Sequence, residues 1–193
     1  MTDLSEKTEL GLWPRLIAAG WFAVAACIPV FFFMVIFGQS AIFMGGFLFF
    51  FGVVPISLAA FFGFAVGVKI LDPVRSTSKL WAAARGVVVA LLSDLVFMTL
   101  YVIQVEMSEA APDVGFAFMV VMIGSTMTFL PVVFAGGLAG WWLCNLSYRG
   151  VLWEWLLNLP RVNTTTANIW ILAAALPVLL NAILGVYLVR SVN

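Results

Sequence analysis

Five apolar runs, each about twenty residues or longer, divide this chain: Leu16–Phe37, Ile42–Val68, Gly86–Val105, Gly115–Leu143 and Ile169–Val189. About twenty residues of helix cross the hydrocarbon core of a bilayer, and in lipid every backbone polar group must be satisfied inside its own segment. Each run is therefore expected to be a transmembrane helix. Composition agrees, since 9% of residues are charged and 64% are hydrophobic, whereas about a quarter of a soluble domain is charged. The expected fold is an all-α polytopic membrane protein, one transmembrane helical domain over residues 1–193. The first run is longer than the usual ~7–15-residue core of a signal peptide and reads as a retained anchor.

The connections set the orientation. With the N-terminus inside, Lys7, Arg15, Lys69, Arg75, Lys79, Arg85, Arg149 and Arg161 are all cytoplasmic, and only Arg190 lies outside. That bias is the positive-inside pattern, and it puts the C-terminus outside. Arg149–Pro160, RGVLWEWLLNLP, is too short to span and is amphipathic around Glu154. It is expected to lie along the cytoplasmic surface as an interfacial helix ended by Pro160, with Asn163–Asn168 capping or looping into the fifth span. A bacterial inner membrane is the expected location.

One ionisable residue falls well inside an apolar run: Asp94. A carboxylate near the bilayer centre costs on the order of 3 kcal/mol or more and should face protein or water. Arg85 is nine positions away in sequence, which puts it on the opposite face of the same helix. The partner must come from another helix, and Asn181, Ser125 and Thr126 lie at comparable depth. A midplane polar cluster of Asp94, Asn181, Ser125 and Thr126 is therefore the candidate site, either as packing glue or as a proton or cation site.

Other features point to packing. Pro29, Pro55, Pro131 and Pro177 fall inside spans and are expected to kink them. Gly63-x-x-x-Gly67 and Gly136-x-x-x-Gly140 allow close helix approach, within the fold or between chains. The stretches around Pro55 and Pro131 are faintly alike, which hints at a repeated helix pair, spans one–two and three–four. All eight tryptophans fall toward the cytoplasmic side. They form a one-sided aromatic belt or a docking surface for a partner, with Trp141, Trp142, Trp153 and Trp155 as its candidate residues. Arg75, Lys79 and Arg85 are candidates for a lipid headgroup, or simply a solvated loop that sets topology.

The chain has no histidine, and Cys27 and Cys144 are expected to be two buried small residues. No nucleophile–base pair, phosphate loop or metal-ligand cluster stands out, so no enzyme activity, cofactor or metal is expected. Zero formal net charge with no basic patch argues against nucleic acid. The expected partners are the lipid bilayer and other membrane subunits, or further copies of the chain. Two functions follow: a non-catalytic subunit that scaffolds or helps assemble a membrane complex, or a small oligomeric transporter or channel built on Asp94.

Overall fold

The computed structural model describes residues 8–41, 49–71, 78–106, 114–148, Asn158 and 160–192. Five α-helices carry the fold: α1 (Leu12–Ala41), α2 (Val54–Ala65), α3 (Lys79–Glu106), α4 (Val114–Tyr148) and α5 (Thr164–Val192). A π-helical turn (Phe49–Val53) leads into α2, and a 3-10 turn (Gly67–Ile70) follows it. Two short strands, β1 (Thr8–Glu9) and β2 (Val162–Asn163), pair antiparallel, Thr8 opposite Asn163.

Four of the helices hold stretches long and apolar enough to cross a membrane: Leu12–Val35, Lys79–Ile103, Thr128–Leu146 and Thr164–Leu184. The second expected span is described only from residue 49 on, and there the apolar helical stretch is shorter, Phe50–Ala65. Four such helices, not five, are therefore present among the described residues. Within the described part the helix is also interrupted locally. Pro55 stands in the first turn of α2 and has no N–H to give, and the backbone just before it takes the wider π-helical turn. After Ala65 the chain tightens into the 3-10 turn, with the amides of Lys69 and Leu71 bonded to the carbonyls of Val66 and Val68. The other three prolines, Pro29, Pro131 and Pro177, sit inside helices that continue through them. The expected interfacial helix falls largely on residues 149–157, outside the described residues, although Asn158 is helical.

α1 packs on α2 and α4, α3 packs on α4 and α2, and α5 docks against α2 and the π-helical turn. The two expected helix pairs are thus neighbours, and both are antiparallel. In the first, Phe22 of α1 fills the surface over Gly63 and Gly67, while Phe33 stacks on Phe51 with ring centroids 5.0 Å apart. In the second, the backbones of α3 and α4 touch. A Cβ on Gly86 would run into the carbonyl of Gly136 and stand 2.8 Å from the nitrogen of Gly140. Both glycine motifs are therefore used inside the fold, where missing side chains let backbones approach.

The core has two layers. One joins Ala18, Phe22, Ala82, Leu143 and Cys144 with Ile70 and Leu71 at the end of the bundle where α1 begins. The other joins Phe50, Val54, Leu58 and Phe97 with Ala182 of α5. Aromatic edges tie the second layer, Phe51 meeting Tyr101 at 5.3 Å and Phe97 at 5.7 Å. Outward faces are apolar as well, with Phe31, Leu80 and Leu172 strongly exposed. Water would not tolerate so much exposed apolar surface, whereas four apolar helices fit a membrane location. Caps finish two helices: the Ser78 hydroxyl accepts the Trp81 amide, and Asn163 Oδ1 accepts the Thr166 amide at 2.8 Å, as expected for the entry to the fifth span.

Candidate functional site

Hydrogen bonds inside the spans follow a simple chemistry. A hydroxyl on an apolar helix satisfies itself on the carbonyl one turn back, because lipid offers nothing else. Ser93 does this with Val89 at 2.9 Å, Thr99 with Leu95 at 2.9 Å and Thr126 with Met122 at 2.7 Å. An amide has too many donors and acceptors for that solution and needs another helix. Asn181 donates to the Ser57 hydroxyl of α2 at 3.3 Å.

These bonds rearrange the expected midplane cluster. Asn181 is engaged with Ser57, and Thr126 is exposed and bonded to its own helix. The side chain of Ser125 lies outside the described residues. Asp94 sits half-buried in the middle of α3, and no hydrogen bond or ion pair to its carboxylate occurs among the described residues. So the structure pairs Asn181 with a residue the sequence reading passed over. The signal for it existed: Ser57 is the only side chain with a hydroxyl, amide or charge between Phe49 and Val68.

The second candidate region is the end where α1 and α3 begin and α2 and α4 finish. Arg15, only 1% exposed, reaches across from α1 and donates to the carbonyl of Phe64 at 3.2 Å. Its guanidinium also lies 5.6 Å from the centre of the Phe64 ring. Phe64 is in the last turn of α2, where carbonyls lack helical partners and the helix dipole is negative. Arg85 of α3 similarly donates to the carbonyl of Lys69 at 3.5 Å, in the following 3-10 turn. Arg15, read from sequence as an interface residue, and Arg85, a lipid-headgroup candidate, thus cap one helix end from two sides. This leaves Lys79, exposed at the start of α3, as the freer lipid-headgroup candidate, while Arg75 lies outside the described residues.

Tryptophans surround this end. Trp142 stacks on Trp21 of α1 with centroids 5.6 Å apart and meets Trp141 edge-on at 6.4 Å. Trp141, Trp142, Trp13 and Trp81 are all exposed, whereas Trp153 and Trp155 lie outside the described residues. Of the two cysteines, Cys144 is buried as expected, but Cys27 is exposed on the outer face of α1 and bonds the Ala23 carbonyl.

Among known protein families, curated proteins and solved structures, the chain matches none.

Proposed function

We propose that this chain is a non-catalytic integral membrane subunit that packs against other membrane proteins and helps assemble or hold a larger complex. The observation that carries this reading is how the polar groups of the spans are engaged. Ser93, Thr99 and Thr126 are satisfied on their own helices, and Asn181 ties α5 to Ser57 of α2, so these polar groups are engaged in holding the fold. The exposed tryptophans at the basic end give a partner large, rigid contact surface. Both glycine motifs are used inside the fold and offer no surface to a partner.

The orientation we propose follows the basic residues. Arg15, Lys69, Lys79 and Arg85 gather at one end, which faces the cytoplasm under the positive-inside rule. Helical spans fit an inner membrane of a bacterium, since outer-membrane spans are β-barrels. Phe49–Ile70 crosses as a fifth span in this reading. It runs antiparallel to α1 from Phe51, beside Phe33, to Phe64, beside Arg15, and those α1 positions are about 27 Å apart along the helix.

A second reading, a small oligomeric transporter or channel, is favoured by the half-buried carboxylate of Asp94. Native mass and subunit content after gentle detergent extraction separate the two. Stoichiometric co-purification with other membrane proteins supports the subunit reading. A chain that runs alone, or only with copies of itself, sinks it.

A further inference from the structure

Asp94 stands at the edge of a groove. Along α3, Val87 and Asp94 share one flank at helical spacing. That flank meets α4, because a Cβ on Gly137 would lie 3.5 Å from a methyl of Val87. On α4, Gly137 continues the row Leu130, Phe134 and Trp141, whose side chains are exposed, Leu130 by 74% and Phe134 by 64%. Beyond Asp94 on α3 comes Leu95, also 64% exposed. The floor of the groove is the glycine crossing, where α3 and α4 touch backbone to backbone. α1, α2 and α5 pack elsewhere: α1 on the Trp142 side of α4, and α2 and α5 around Phe97.

A carboxylate at this depth needs a partner, and the described part of the chain provides none by hydrogen bond or ion pair. A second copy does not solve the problem. Asp94 is the only charged residue in the interior of any apolar run, so a copy would bring another carboxylate and no cation. We propose that the α3–α4 groove receives a transmembrane helix of a partner subunit that carries a lysine or arginine near its middle. The apolar rims made by Leu130, Phe134 and Leu95 cover that helix, and Asp94 sets its depth and rotation by pairing with the cation. The proposal rests on the subunit reading above and names the chemistry of the partner.

The test uses the purified full-length chain in lipid nanodiscs. The probe is a synthetic apolar transmembrane helix with one central lysine, compared with the same helix carrying a central leucine, and association is read by energy transfer between fluorophores. The lysine helix is expected to bind the wild type about tenfold more tightly than the leucine helix, a preference lost in Asp94→Asn. Asp94→Lys should lose the lysine helix and gain a helix with a central aspartate, which a merely misfolded variant would not do. Equal binding of the lysine and leucine helices overturns the proposal. Self-association of the wild type that vanishes in Asp94→Asn overturns it in favour of a second copy. Proton or cation flux in liposomes that vanishes in Asp94→Asn overturns it in favour of an ion site. If the wild type co-purifies with membrane partners and Asp94→Asn does so equally well, this groove is wrong while the subunit reading stands.

Discussion

The amide of Asn181 and the hydroxyl of Ser57 meet at 3.3 Å across 124 positions of sequence, a polar tie between α5 and α2. Among the described residues, Ala167 and Ala182 are the buried side chains of α5, and Val178 packs beside Ala182 on the second core layer. A double-mutant cycle of Asn181→Leu and Ser57→Ala, read by unfolding in detergent, should give a coupling of about 0.5–1.7 kcal/mol, the range seen for interhelical polar pairs in membranes. Strict additivity of the two single effects would show that the pair does not interact.

Arg15 should be costly to remove. Arg15→Ala takes away a charge-assisted bond to the Phe64 carbonyl and the contact with the Phe64 ring, both at a buried site. A loss of about 1.5–3 kcal/mol is expected. Arg15→Lys should recover part of it, because a lysine keeps the charge but lacks the planar fork. Denaturation midpoints check this. An Arg15→Ala midpoint equal to the wild type would mean that the helix end is satisfied without the arginine.

The crossing of α3 and α4 tolerates no side chain at its centre. Gly86→Val and Gly140→Val each push a branched side chain into the opposing backbone and should lower stability by about 1–3 kcal/mol or prevent folding. Gly20→Ala is the control, since a Cβ there meets nothing within 4 Å, and the change should be neutral or slightly stabilising. Thermal melts of the three variants, side by side with wild type, decide the matter.

Orientation can be read by single cysteines in a background with Cys27 and Cys144 replaced. Ser78→Cys and Arg161→Cys should react with a membrane-impermeant maleimide only in inverted vesicles, and Asn193→Cys only in intact cells. The reverse pattern would invert the topology.

The membrane character of the chain was legible because hydropathy over twenty residues is a property of each run alone. The close packing at the glycine motifs was legible for a similar reason, while the entry to the fifth span was legible only as a polar stretch: its helix begins at Thr164, five residues before the expected Ile169. What sequence could not supply was the assignment of partners. Asn181 and Asp94 lie at similar depth, and only the placement of α5 against α2 decides that the amide meets Ser57. Arg15 looked like a topology marker because its target is a backbone carbonyl 49 positions away, and carbonyls leave no trace in a residue pattern. The second span looked whole because hydropathy does not register the change from π to α to 3-10 helix around Pro55 and Gly67.

The pairing of β1 with β2 has a consequence for biosynthesis. Thr8 and Glu9 are made before their partners Asn163 and Val162, which leave the ribosome only after α1, α2, α3 and α4. In the five-span reading proposed above, the amino-terminal strand therefore waits on its side of the membrane until those helices have been inserted. Its closure comes late in assembly and fastens the beginning of the chain to the threshold of its last helix.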